Sequence, residues 1–183
     1  SETVTFTIIV NRATPSLSFP DITTTYVDGG NFSLTTGRIL TSNASYSLVD
    51  SLGSGIISIS GTGDSTNADF LSVGTTTILV NQQENEYYSA GSTTFQLVIN
   101  PATPTVNVTS PVNKNYGDAP FNFVYSSTAG SNNFSFSVAD SSVISVTSDQ
   151  ASITGVGTAI VTVTQIEAPG SNYISVSNLI TVN

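Results

Sequence analysis

Along most of this chain apolar residues recur at every second position. Phe121, Phe123 and Tyr125 follow that spacing, as do Phe134, Phe136 and Val138, and Val161 with Val163. A period of two gives an extended strand one face toward a core and one toward water. Clusters of turn-forming residues break the runs at Val27-Asp28-Gly29-Gly30, Ala129-Gly130-Ser131-Asn132 and Ala168-Pro169-Gly170-Ser171. No stretch carries the 3.6-residue period of an amphipathic helix. The pattern predicts an all-β protein with about seven short strands in each stretch of about 90 residues, which suits a small Greek-key sandwich.

The pattern also repeats. Thr5-Phe6-Thr7-Ile8-Ile9-Val10-Asn11-Arg12-Ala13-Thr14-Pro15 matches Thr94-Phe95-Gln96-Leu97-Val98-Ile99-Asn100-Pro101-Ala102-Thr103-Pro104 at a constant offset. Tyr26-Val27-Asp28-Gly29 is answered by Tyr116-Gly117-Asp118-Ala119, and Val73-Gly74-Thr75 by Val156-Gly157-Thr158. Gln82 and Tyr88 are answered by Gln165 and Tyr173. The order is the same both times, so the chain is a tandem repeat. Val4, Phe6, Ile8 and Val10 alternate like the closing strands Phe95 to Ile99 and Leu179 to Val182. Three closing strands therefore accompany two copies of everything else, and residues 1–11 are expected to be the last strand of a preceding, absent module or a donor strand.

This order of signals resembles bacterial immunoglobulin-like (Big-type) repeats, which recur in large bacterial surface proteins and in some viral fibres. The likeness covers essentially the whole chain and is best from Ala102 to Val182, through Tyr116-Gly117-Asp118-Ala119-Pro120-Phe121 and Ile153-Thr154-Gly155-Val156-Gly157-Thr158. The first repeat departs from it with an extra residue in Tyr26-Val27-Asp28-Gly29-Gly30-Asn31-Phe32 and a longer loop at Gly61 to Asp69. The resemblance implies two tandem immunoglobulin-like Greek-key sandwiches, residues 12–100 and 101–183, preceded by one extra strand. Its motifs are turn and strand signals, so they specify fold far better than function.

Composition narrows the functions. Of 183 residues, 38% are hydrophobic and 8% charged, against about 25% charged in an average soluble protein. Ser, Thr and Asn take the surface instead. Twelve acids face three bases, Arg12, Arg38 and Lys114, for a formal charge of -9, which makes nucleic acid and anionic membrane poor partners. His, Cys, Met and Trp are absent, which removes Ser-His-Asp and Cys chemistry and the usual zinc and iron sites. No cofactor is expected and no enzyme. No apolar run approaches the roughly 20 residues that span a bilayer. Because the chain starts at Ser1 and holds no Met, it is expected to be an excerpt or a processed product.

The candidate sites are few. Tyr26-x-Asp28 and Tyr116-x-Asp118 offer a paired recognition feature, or an Asp that caps its own turn beside a packed Tyr; turn chemistry favours the second. Acids between Asp64 and Asp69, with Asp28 or Asp50, are conceivable Ca²⁺ ligands, but no dense acidic run occurs and the junctions at residues 11–15 and 100–104 hold no acid. Glu84, Glu86, Tyr87 and Tyr88 put two carboxylates and two phenols on one connection, a possible glycan platform as well as an ordinary solvated loop. Twelve scattered acids give no force to a glycosidase pair. An isopeptide crosslink would need a buried Lys114, whose counterpart is Thr24. Sequons for N-glycosylation stand at Asn31, Asn43, Asn107 and Asn133, a number chance alone would give. Thr3, Thr5 and Thr7, or Thr162 and Thr164, hint at an ice-binding ladder, yet no regular array spans the repeats.

The leading expectation is a non-catalytic stalk or spacer of a long extracellular adhesin or surface fibre, with neighbouring modules as partners. A cell-surface or virion filament assembled by strand exchange through the face Val4, Phe6, Ile8 and Val10 is the alternative, and a carbohydrate-binding module the third.

Overall fold

The structure, a computed structural model, describes residues 2–34, 44–109, 113–129 and 133–183. It is built of strands joined by turns, with single 3-10 turns at Gly53–Gly55 and Gly63–Ser65. The chain forms two compact units, Ser1–Asn100 and Pro101–Asn183.

In the first unit, β1 (Ile22–Thr25), β7 (Gly91–Asn100), β6 (Gly74–Gln82) and β3 (Ala44–Leu48) form one sheet in that order, and β2 (Asn31–Ser33), β5 (Asn67–Phe70) and β4 (Ile57–Ser60) form the other. In the second unit, β8 (Val106–Thr109) pairs with β10 (Val124–Ser127), while β9 (Phe121–Asn122) pairs with β13 (Gln150–Ile153), which pairs with β12 (Ile144–Thr147). Only Phe123 separates β9 from β10, so these strands make one layer. The facing layer is β11 (Phe134–Val138), β14 (Ala159–Gln165) and β15 (Val176–Val182). Four strands in the order 1-2-5-4 facing three in the order 3-6-7 is the constant-type immunoglobulin arrangement. The fold is all-β and immunoglobulin-like, as the alternation predicts.

The predicted inward faces meet. In the second unit Phe123 stacks on Phe136 at 5.4 Å and lies edge-on to Phe121 at 5.6 Å, while Tyr125 tilts over Phe134 at 4.5 Å. Val161, Val163 and Ile144 are buried beneath them. In the first unit Ile57, Ile78, Val80, Leu97 and Ile99 fill the same role, and Phe19 stacks on Phe95 at 5.8 Å. Glycine is required at the repeated Val-Gly-Thr. Gly74 and Gly157 sit at φ +145° and +146°, and a Cβ there would lie 2.9 Å from Ile56 and 3.0 Å from Val143.

The first strand differs between the units. β8 pairs antiparallel with β10, whereas β1 pairs in parallel with β7, on the opposite layer. Pro20 lacks the N–H that a ladder needs, and next to it Asp21 accepts the backbone N–H of Gln96 at 2.8 Å, which carries the chain onto β7.

Residues 2–10 form no strand, and Val4, Phe6, Ile8, Ile9 and Val10 are between 75% and 89% exposed. The reason is geometric: β6 is paired on both edges, by β7 and β3, and β7 by β6 and β1, so that sheet offers these residues no free edge beside its closing strand.

Candidate functional site

The repeated Ala-Thr-Pro is a clamp. Ala13 donates its N–H to the Tyr87 carbonyl at 2.8 Å and accepts from the Ser89 N–H at 3.0 Å. Ala102 does the same in the second unit, donating to Asn172 and accepting from Ile174, both at 2.9 Å. Each makes an isolated parallel bridge to the repeated tyrosine, Ala13 to Tyr88 and Ala102 to Tyr173. The motif therefore ties the start of each module to the loop before its closing strand.

Those loops are held differently. In the first, Asn85 Oδ1 accepts the N–H groups of Tyr87 at 2.9 Å and Tyr88 at 2.8 Å, and Asn85 N–H reaches the Tyr88 carbonyl at 3.0 Å. Arg12 pairs with Glu84 at 2.8 Å, with both side chains about half exposed. Tyr88 is half-buried, while Glu86 and Tyr87 are exposed, and a shallow groove runs along Asn81, Gln83 and residues 90–92. In the second loop the buried Gln165 accepts from Ser127 Oγ and donates to Glu167 Oε1 at 2.7 Å, while Glu167 Oε2 accepts from Ser171 Oγ at 2.9 Å. Asn85, Arg12 and the Gln165 network are organisers that the alternation of the sequence does not reveal.

The Tyr-x-Asp turns divide. Tyr26 is 7% exposed and its hydroxyl donates to Asp28 at 3.3 Å, whereas Tyr116 is 70% exposed. Asp118 caps its own turn, accepting the Asn115 N–H at 2.9 Å. Asp50 likewise accepts from Gly53 N–H at 2.7 Å. Among the described residues, no group of three or more His, Cys, Asp or Glu side chains stands close enough to hold a metal ion. Lys114 lies half-buried over the Phe121 ring at 4.9 Å. Asn31 and Asn107 are exposed on β2 and β8, and Asn133 is exposed just before β11; Asn43 lies outside the described residues. Asp140 accepts the Ser142 hydroxyl at 2.6 Å and the Ser142 N–H at 2.9 Å, which together hold its carboxyl below the usual range.

A cleft of about 90 Å³ opens at one end of the second unit, floored by Ile144 and Val182 and rimmed by Lys114, Tyr116, Val143 and Val156. The ladders of the two units correspond in register: β7 begins with Gly91 opposite Gln82 and β15 with Val176 opposite Gln165, and Val182 opposite Ala159 occupies the place of Leu97 opposite Thr76. The two residues that Gln165 to Tyr173 adds over Gln82 to Tyr88 are taken up in the loop. Among the described residues no helix is long and apolar enough to cross a membrane.

No family of known proteins matches the chain, and no curated protein does. Solved structures similar to it include a protocadherin gammaB7 EC3-6 cis-dimer, 14% identical over 92% of this chain and 46% of that one, with a TM-score of 0.37. A SusE-like surface located polysaccharide binding protein from Bacteroides thetaiotaomicron is 16% identical over 89% and 32%, with a TM-score of 0.35. A C-terminal fragment of intimin, solved with the intimin-binding domain of its translocated receptor, is 12% identical over 82% and 55%, with a TM-score of 0.31. The chain spans between about a third and just over half of these proteins.

Proposed function

We propose that the chain is a non-catalytic stalk or spacer of a long extracellular adhesin or surface fibre, made of Big-type modules at residues 12–100 and 101–183, with residues 1–11 acting as the closing strand of a further sandwich. The observation that carries this reading is the opening segment. Phe6, Ile8 and Val10 stand at the repeat positions of Phe95, Leu97 and Ile99, which β7 buries, yet they are exposed here. Such an apolar face is costly in water and fits the edge of another sheet. The Ala13 and Ala102 clamps support the same reading, since each fixes the entry of a module to its own loop by backbone bonds alone.

Force spectroscopy on the full chain held at its two ends tests the role. A stalk of two sandwiches gives two discrete rupture events, each releasing roughly 300 Å of chain at ~3.4 Å per residue. Smooth lengthening at low force contradicts it.

The exposed Tyr87 favours a second reading, a glycan-binding loop. Asn85 fixes the loop backbone by accepting the Tyr87 N–H, and Glu86 remains exposed while Glu84 is engaged by Arg12. On a glycan array, a hit that Tyr87→Ala abolishes supports this; an array without hits removes it.

A further inference from the structure

We propose that β1 and β7 form the force-bearing lock of the first unit, a pair of parallel strands that tension along the chain loads in shear. The inference rests on the stalk reading and names the contact that carries the load.

Within the first unit the chain reaches β1 through residues 12–21 and leaves at Asn100, where β7 ends. Tension therefore pulls β1 back from its Ile22 end and β7 forward from its Asn100 end. The two strands lie side by side and parallel, with Ile22 opposite Leu97, Thr23 opposite Val98, Thr24 opposite Ile99 and Thr25 opposite Asn100. Strands placed in this way must slide along each other under load and cannot peel. The hydrogen bonds of a parallel ladder are evenly spaced, so they share the load and yield together. In a peeled ladder each bond, modest by itself, meets the load alone and in turn.

Both ends of the ladder are reinforced. Beyond Thr25, Tyr26 donates its N–H to the Asn100 carbonyl at 2.8 Å, and Tyr26 is buried. Ahead of Ile22, the Asp21 carboxylate accepts the Gln96 N–H at 2.8 Å, and Phe19 stacks on Phe95 at 5.8 Å. β7 cannot follow β1 when it is pulled, because nine residue pairs hold its other edge to β6. Further upstream Ala13 makes its parallel bridge to Tyr88, a contact of the same sense that the load meets before it reaches β1.

Strength of this kind is directional. Resistance to force is set by the unfolding barrier along the pulled path and not by equilibrium stability, so one folded unit should yield at different forces along different lines. The chain has no cysteine, which leaves handles free to be placed on exposed residues. In the full chain, Ser18→Cys/Thr103→Cys pulls from a point ahead of β1 and a point just past β7, which shears the ladder. Ser18→Cys/Thr94→Cys pulls both strands from the same end, which peels it. Ser18, Thr94 and Thr103 are exposed, and the second unit from Pro104 onward lies outside both paths.

The expected result is a rupture force several times higher for the Thr103 variant at equal pulling speed, with thermal unfolding of the two variants alike. Equal forces in the two directions overturn the lock and leave the stalk reading to be decided by the two rupture events between the chain's ends. A difference in force that merely follows a difference in thermal unfolding also overturns the lock. Smooth lengthening at low force in both directions overturns the lock and the stalk reading together.

Discussion

The two units close the same sandwich with strands of unequal quality. β7 is paired on both edges, by β6 and β1, and buries Phe95, Leu97 and Ile99. β15 lies at the edge of its sheet, paired with β14 alone in that sheet, and its inner face offers Ile180 and Val182 beside the cleft. Tyr26 is packed in while Tyr116 stands out in water. The difference lies in the outer edge: β1 crosses to pair with β7, while β8 pairs with β10 on the other layer and leaves β15 at the edge of its sheet.

Changes at the closing strands should separate the units most. Leu97→Ala removes a fully buried side chain and should cost about 2–5 kcal/mol in denaturant unfolding of the first unit. Val182→Ala, at the equivalent place, should cost distinctly less: it deletes fewer atoms, and β15 is paired on one edge where β7 is paired on two. Equal losses would mean that the second closing strand is seated as firmly as the first.

The loops come next. Gln165→Leu strands Ser127 and Glu167 without their buried partner and should cost about 1–3 kcal/mol. Asn85→Ala leaves groups that water can reach and should cost less than Gln165→Leu. A reversed order would show that the first loop, not the second, carries the tighter network. Smaller again, Tyr26→Phe loses the bond to Asp28 and should cost about 0.5–1.5 kcal/mol, whereas Tyr116→Phe should leave thermal unfolding unchanged.

The smallest effect is that of pH. The Ser142 bonds lower the Asp140 pKa in the folded state, so the contribution is present above the ordinary carboxylate range and is lost as pH falls through the lowered value. In Asp140→Asn that share of the acid loss should disappear, as seen in acid titrations followed by circular dichroism. An unchanged acid profile would remove Asp140 from the account.

Much of this was legible before any coordinate. The alternation at Phe121, Phe123, Tyr125, Phe134 and Phe136 identifies the side chains that meet in the second core. The repeated Val-Gly-Thr marks a backbone position that only glycine fits comfortably. The pairing of the first strand was not legible, because it depends on Pro20 blocking one ladder while the Asp21 side chain recruits Gln96 on another. Residues 2–10 carry a strand pattern and form no strand here, since such a pattern states what a segment can bury and not where a partner stands. The unequal spacing of Gln and Tyr in the two repeats was visible, and the ladder registers show that the loop absorbs it. Of the candidate loop, Tyr87 and Glu86 are exposed as a ligand platform requires, while Glu84 is taken by Arg12 and Tyr88 by the clamp.

Hydrogen exchange of the backbone amides, read strand by strand in the native protein, tests this contrast most directly. The account predicts that amides of β7 between Phe95 and Ile99 exchange only with global opening of their unit, while those of β15 between Leu179 and Val182 exchange sooner than their own partner strand β14. Protection of β15 equal to that of β14 would contradict it, and would show the second closing strand to be as firmly seated as the first.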